Sequence, residues 1–151
     1  MSNINREKEL GEPIHEVMGE LLPLPTVEAI VIKDKKILLG KRSKGIGKEY
    51  WWVFGGKIRK WELLEDALKR VLFEETGLHA TNYTQLLSKS YFFLDRHTVG
   101  TPFIINITEE HDIKLNDTHS EYKWFSKDEL RHIKCHPMLN TLLLMGGFFD
   151  D

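Results

Sequence analysis

Residues 56–78 read GKIRKWELLEDALKRVLFEETGL, and this stretch decides the fold. Between positions 62 and 76 its apolar side chains recur with the three- and four-residue spacing of one helix face: Leu64, Ala67, Leu68 and Val71. This spacing predicts an amphipathic helix over residues 62–76 whose apolar stripe faces a core. Gly77 follows the last helical position, where a glycine commonly ends a helix.

Two glutamates, Glu74 and Glu75, close the predicted helix. At ~100° per residue Glu75 lies ~40° from Val71, beside the apolar stripe. An acidic pair is usually solvated surface, but the helix macrodipole disfavours negative charge at this end and an unpaired buried charge is costly. We therefore expect a compensating cation, and paired oxygen ligands suit Mg²⁺. Arg70, four residues before Glu74, is placed to orient that carboxylate.

The segments around this helix read mainly as strands. A β-branched stretch over residues 26–32, a polar turn and residues 37–39 predict a hairpin. The remaining predicted elements are strands at 51–54, 82–94, 101–107 and 121–125, a short helix opened by the capping box 126–129, and a last helix at 137–145. This order predicts an α+β fold, in which helices cover both faces of a mixed sheet.

The length and charge of the chain exclude several classes of protein. Its 151 residues suit one domain over residues 23–151, preceded by an N-terminal arm or helix over residues 1–22. No apolar run approaches the ~20 residues that cross a bilayer, and no signal peptide is recognisable, so we expect a cytoplasmic protein without a membrane partner. A lone Cys135 forbids an internal disulfide. The 21 basic and 23 acidic side chains provide no electrostatic footprint for nucleic acid.

The stretch 56–78 resembles the Nudix box, Gly-x5-Glu-x7-Arg-Glu-U-x-Glu-Glu-x-Gly-U with U aliphatic, and every spacing is intact. The resemblance implies a Nudix-type α/β/α sandwich. One fixed position departs from the box. Val71 stands where the family has a glutamate that often helps to bind metal or to activate the water that attacks phosphorus.

Three further segments, residues 38–42, 50–58 and 116–124, are similar to the GDP-mannose mannosyl hydrolases, a Nudix group that lacks this glutamate. The resemblance implies Mg²⁺-dependent cleavage of a GDP-sugar to GDP and free sugar, by attack of water at sugar C1, and a homodimer. It also implies a set of site residues: His119 as general base, Arg70 as a second catalytic side chain, the Gly55 carbonyl, Glu74 and Glu75 on the metal, and Arg42, Lys57 and Glu28 on the substrate.

Several alternatives stay open. A loop histidine is more often idle than catalytic, and His97 competes with His119 for the role of base. Thr118 stands where the group often has a glutamine metal ligand, and Trp51, Trp52 and Phe54 suit a core better than a base-stacking surface. The competing functions are a conventional Nudix pyrophosphohydrolase, which acts at phosphorus of a nucleoside diphosphate derivative, and a non-catalytic domain that senses a nucleotide.

Overall fold

A computed structural model describes residues 17–109 and 111–150. Most of the predicted N-terminal arm, residues 1–16, lies outside this range, and residues 17–21 are helical. The elements, in chain order, are β1 (Leu24–Lys33), β2 (Lys36–Arg42), β3 (Trp51–Trp52), β4 (Phe54–Lys57), α1 (Leu64–Thr76), β5 (Tyr83–Gln85), β6 (Lys89–Phe93), β7 (Arg96–Asn106), β8 (His119–Phe125), a 3₁₀ helix (Glu129–His132) and α2 (Leu139–Met145).

Strand β1 is the centre of the sheet. It pairs antiparallel with β2 and β4 and parallel with β7, in a register that sets Glu28 opposite Gly55 on β4 and opposite Pro102 on β7. Strand β8 pairs antiparallel with β2, and β5 and β6 both pair antiparallel with β7. The sheet is therefore mixed, as the sequence predicts.

Alternate side chains of β1 enter two separate cores. Val27, Ala29 and Val31 pack with the buried face of α1 on one side of the sheet. Ile30, on the other side, packs with the buried leucines of α2. Because successive side chains of a strand point to opposite faces of the sheet, β1 contributes to the cores on both sides. The predicted α+β class, with helices on both faces of the sheet, is confirmed.

Helix α1 begins at Leu64, two positions later than predicted, because Glu62 belongs to the turn that precedes it. The Glu62 amide donates to the Arg59 carbonyl, and the Glu62 carboxylate accepts from the Arg59 amide. The helix ends as predicted: Gly77 has φ 76°, a left-handed value that favours glycine, and its amide donates to the Phe73 carbonyl.

Several other elements differ from the sequence prediction. The predicted strand 82–94 is interrupted after Gln85, and β7 begins at Arg96, ahead of the predicted 101. The capping box forms, since the Ser126 amide donates to the Glu129 carboxylate and the Glu129 amide donates to the Ser126 hydroxyl, but a 3₁₀ turn follows it.

In the part of the chain that the structure describes, no helix has the length and apolar character needed to cross a membrane.

Candidate active site

A cavity of about 700 Å³ opens on the α2 side of the sheet. Strands β1, β2, β4 and β6 and the first residue of β8 contribute to its wall, through Glu28, Arg42, Gly55, Tyr91 and His119 among others. Its volume lies in the range of small-molecule sites, and its polar side chains converge from distant parts of the sequence.

Glu75 is the carboxylate that α1 places against Gly55 and Thr118, two residues of the cavity wall, without itself lining the cavity. It is 8% exposed, and its two oxygens accept hydrogen bonds from the Gly55 amide and the Thr118 hydroxyl, each at 3.0 Å. Burial raises the pKa of Glu75 to about 7, against the lowering effect of these hydrogen bonds and of the nearby Arg42 charge. Among the described residues, Arg42 is the basic side chain that lowers the pKa of this buried carboxylate, and Glu75 is therefore a fitting ligand for a cation.

Val71, one turn before Glu75, is closed off from the cavity. It is 5% exposed and belongs to the core between α1 and the sheet. A Cβ placed on Gly56 would lie 3.1 Å from a Val71 methyl group, so the two residues are in close contact. The side chain that replaces the family's glutamate is therefore part of the apolar core.

His119 begins β8 beside Glu75. It is 6% exposed, its ring packs against Phe54 at 4.7 Å between centroids, and its Nδ1 lies 2.8 Å from the Thr118 hydroxyl and 3.6 Å from Glu75 Oε2. Gly40 admits this ring, because a Cβ there would lie 2.6 Å from its Cδ2. Burial lowers the pKa of His119 to about 4, with a further lowering from Arg42, so the imidazole is neutral at pH 7.

With Glu75 ionised, the hydrogen bonds of the Thr118 hydroxyl favour one tautomer of His119. The hydroxyl has one proton to donate and lies within hydrogen-bond distance of two acceptor oxygens, Glu75 Oε2 and Asn116 Oδ1. When the hydroxyl donates its hydrogen bond to either of these oxygens, its own oxygen accepts a hydrogen bond from His119 Nδ1–H. The lone pair of the neutral ring then resides on Nε2, the nitrogen left for a ligand in the cavity.

The predicted phosphate-binding residues fall into two groups. Arg42 and Lys57 both line the cavity, and Arg42 Nε is buried without a hydrogen-bond partner in the described chain. Arg70 instead donates to the Glu62 carboxylate at 2.7 and 2.8 Å and to the Lys57 carbonyl at 2.9 Å. Arg70 thus ties the loop after β4 to α1, and its predicted catalytic role stays a prediction.

Glu74 and Glu75 have different surroundings. Glu74 is exposed and its carboxylate lies 3.4 Å from Arg70 Nη1, the neighbour expected from their spacing. It does not share the buried position of Glu75. The oxygen groups that could hold a hard cation are therefore the Glu75 carboxylate, the Gly55 carbonyl and the Thr118 hydroxyl, with Glu74 outside them.

The chemistry of this donor set fits Mg²⁺, because every candidate ligand is an oxygen. Among residues 17–109 and 111–150, no three Asp, Glu, His or Cys side chains converge as a complete metal site. Mg²⁺ commonly keeps several waters and completes its shell with substrate phosphates, so a site with few protein ligands suits it.

Three aromatic residues also line the cavity, among them Trp52, which was expected to suit a core. Trp52 lies 4.1 Å from the ring of His136, Phe93 lies 4.4 Å from the same ring, and Tyr91 stands beside Trp52 at 6.3 Å, all between centroids. Trp52 is half-buried, whereas Phe54 is fully buried as expected. The alternation of β6 could have indicated that Tyr91 points inward, but its neighbours come from distant strands.

The alternative base, His97, lies apart from this site. Its ring stacks on Phe92 at 4.6 Å, its Nε2 is buried without a partner in the described chain, and it does not line the cavity. The geometry therefore favours His119 over His97 as a group that meets a ligand.

Comparison with known proteins gives the family. A profile described as NUDIX domain matches residues 22–142. The chain belongs to the NUDIX domain family. This Nudix domain carries its box on α1, with Glu75 beside Gly55 and Val71 in the core.

Two curated relatives and one solved structure illustrate what this Nudix domain is similar to. It is 30% identical over 112 residues to the low-salt glycan biosynthesis protein Agl8 of Haloferax volcanii, covering 69% of this chain and 71% of that protein. It is 28% identical over 101 residues to the oxidized purine nucleoside triphosphate hydrolase of Mus musculus, covering 67% of this chain and 65% of that protein. The crystal structure of a MutT NUDIX hydrolase from Burkholderia pseudomallei has a TM-score of 0.74 and 23% identity, covering 82% of this chain and 98% of that chain.

The matched part of the chain thus spans just under two thirds of the mouse protein, and the structural likeness concerns the fold. Nudix hydrolases generally use a divalent metal such as Mg²⁺. Neither relative is named as a GDP-mannose mannosyl hydrolase, so membership of that group is a proposal.

Proposed function

We propose that this Nudix domain is a Mg²⁺-dependent hydrolase that cleaves a nucleoside diphosphate sugar, with GDP-mannose as the leading substrate, by attack of water at sugar C1. The observation that carries the proposal is that Val71 lies in the core while His119 lines the cavity. The acid that often serves chemistry at phosphorus is replaced by a core valine, and a neutral imidazole lies in the cavity beside the retained Glu75.

His119 is the general base of this reaction. Its Nε2 takes a proton from water as the water oxygen bonds to C1, and the bond from C1 to the diphosphate oxygen breaks with its electron pair on the leaving nucleoside diphosphate. Inversion at an anomeric carbon requires a base on the face opposite the leaving group, and one imidazole suffices. Thr118 and Glu75 hold the ring through Nδ1.

The leaving diphosphate is held by basic side chains that line the cavity. Arg42 has a buried Nε free of partners in the described chain, and a phosphate oxygen would satisfy it. Lys57 adds a second positive charge at the same wall, at the end of β4, where its carbonyl accepts from Arg70 of α1. When bound by Glu75, the Gly55 carbonyl and Thr118, Mg²⁺ would supply neutralising charge to the leaving group.

Hydrolysis in ¹⁸O-labelled water tests the proposal. We expect the label in the sugar and unlabelled nucleoside diphosphate, because attack at C1 leaves the diphosphate oxygen with the nucleotide. Label in a phosphate product would overturn attack at carbon.

The second candidate function, cleavage at phosphorus, is favoured by the likeness to the mouse oxidized purine nucleoside triphosphate hydrolase. It predicts a nucleoside monophosphate among the products of the same experiment. Nucleotide binding without turnover of either kind would leave the third alternative, a sensing domain.

A further inference from the structure

Two buried polar atoms on the inner wall of the cavity lack a partner in the described chain: Glu28 Oε2 and the Tyr91 hydroxyl oxygen. Both side chains line the cavity, and they are 3% and 2% exposed. Glu28 Oε1, in contrast, accepts a hydrogen bond from the Thr26 hydroxyl. Buried polar groups are nearly always paired, so two unpaired groups side by side in a cavity indicate a missing ligand.

The backbone makes room for this pair. Tyr91 comes from β6 and Glu28 from β1, and both strands flank β7, where Gly100 is buried between them. A Cβ on Gly100 would lie 2.4 Å from Tyr91 Cε2 and 2.5 Å from both carboxylate oxygens of Glu28. The two side chains therefore meet above Gly100, in space that any other residue would fill.

The pair lies next to the position assigned to the diphosphate. Glu28 is the register partner of Gly55, and the Gly55 amide donates to Glu75. Directly opposed residues of neighbouring strands have Cα atoms about 5 Å apart. A group attached to a diphosphate held by Arg42, beside Glu75, would therefore reach Glu28 and Tyr91.

The chemistry of the pair selects a hydroxylated group over a charged one. A carboxylate oxygen accepts, and a phenol both donates and accepts, so together they match neighbouring hydroxyls. A phosphate at the same place would meet a negative charge whenever Glu28 is ionised, whereas a hydroxyl can hydrogen-bond the carboxyl group in either protonation state.

We propose that Glu28 and Tyr91 form the site for the sugar hydroxyls of a nucleoside diphosphate sugar, and that Tyr91 is a specificity-determining residue. This inference rests on the proposed function, since it names the part of that substrate which the cavity recognises. It assigns Tyr91 no part in bond cleavage.

Binding of sugar-bearing and sugar-free nucleotides to Tyr91→Phe tests the inference. In a His119→Gln background that slows turnover, isothermal titration calorimetry measures Kd for GDP-mannose and UDP-glucose, and for GDP and UDP. We expect Tyr91→Phe to weaken binding of at least one sugar nucleotide about tenfold, the value of one hydrogen bond, and to leave its diphosphate within about twofold. Tyr83→Phe, in the core beside α1, is the matched control and should change neither.

Two outcomes overturn the inference: an equal loss for the sugar nucleotide and its diphosphate, or no loss for either. Failure of the parent protein to bind any of these sugar nucleotides more tightly than the matching diphosphate also overturns it. These results are independent of where the ¹⁸O label is found, so attack at phosphorus could be established while sugar recognition stands.

A second measurement separates recognition from folding. Tyr91→Phe removes a hydroxyl without a partner, so urea unfolding should show no loss of stability. Gly100→Ala, which forces a Cβ into the pair, should abolish the sugar-dependent part of the affinity. A marked loss of stability in Tyr91→Phe would show that the hydroxyl serves the fold.

Discussion

Thr118 controls which nitrogen of His119 meets the ligand. Its hydroxyl lies 2.8 Å from Nδ1, and the neutral ring then presents Nε2 to the cavity. The same threonine donates to the Glu75 carboxylate, so one side chain contacts both the proposed base, His119, and the proposed metal ligand, Glu75. A shift of either group would move the other.

His119→Gln should lower kcat about 10²–10⁴-fold, the usual contribution of a general base. Glutamine keeps a polar side chain of similar reach but cannot take the proton. His97→Gln is the matched control, because His97 does not line the cavity, and it should retain nearly full turnover. The measurement is steady-state release of nucleotide product, and an unaffected His119→Gln enzyme would transfer the role of base to another group.

Glu28→Gln should stabilise the fold at alkaline pH and have little effect at acidic pH. Burial raises the pKa of Glu28 from 4.5 to about 7, so its favourable contribution is complete below pH 4.5 and is lost as the pH rises through 7. At pH 8 the parent protein buries an ionised carboxylate, and glutamine removes a cost of up to about 3 kcal/mol.

Urea unfolding at pH 4.5 and pH 8, without divalent metal, measures this difference. The exposed Glu121→Gln is the matched control and should give nearly the same change in the free energy of unfolding at both pH values. A Glu28→Gln effect of equal size at both pH values would mean that burial of the charge is not its origin.

At the scale of elements, the tight turn between β1 and β2 carries backbone strain. Asp34 and Lys35 have φ values of 50° and 60°, as in the two-residue type I′ turns that prefer Asn-Gly or Asp-Gly. Lysine is disfavoured there because its Cβ crowds the backbone.

Lys35→Gly should raise the free energy of unfolding by roughly 0.5–1 kcal/mol, since glycine adopts this conformation freely. Lys36→Gly, one position later in β2, should lower it by a similar amount, because glycine weakens a regular strand. Thermal unfolding of the two variants gives the comparison, and the same sign for both would contradict the strain argument.

The elements that the sequence predicts well are those whose signal is local. The spacing from Leu64 to Val71 and the position of Gly77 define α1 to within two residues, because a helix face repeats within one segment. The start of α1 was misplaced because Glu62 bonds Arg59 and Arg70, and nothing in the helical spacing reveals these partners.

The site was less predictable because long-range strand pairing builds it. The contact of Glu75 with Thr118 depends on the β2–β8 pairing, and sequence reached His119 only through the family resemblance. Tyr91 meets Glu28 across β7, above Gly100, and no periodicity within β6 identifies that neighbour.

At the scale of the whole molecule, the helical residues 17–21 and Leu22 expose apolar side chains. Val17, Met18, Leu21 and Leu22 are between 45% and 75% exposed, while Gly19 and Arg96 line the cavity, where a Cβ on Gly19 would lie 3.4 Å from Arg96 Nη1. Such a cluster suits burial against a second subunit.

We therefore expect a homodimer, as the family resemblance implies, with residues 17–22 in its interface. Leu21→Glu should shift the mass measured by light scattering from dimer toward monomer, because it buries a charge in the interface. Lys89→Glu, at an exposed position of strand β6, is a control for a change of surface charge and should leave the mass unchanged. A monomeric parent protein would contradict the expectation.

The parallel pairing of β1 with β7 has a consequence for synthesis. Leu24 is paired with Thr98, and Ile32 with Asn106, so the central strand is made long before its parallel neighbour. A ribosome that has completed only β1 and β2 holds a hairpin with both edges open and an uncovered Val-rich and Ile-rich surface. Non-local pairing of this kind folds slowly and exposes such edges. The nascent chain is therefore most vulnerable to aggregation before residue 106 leaves the exit tunnel.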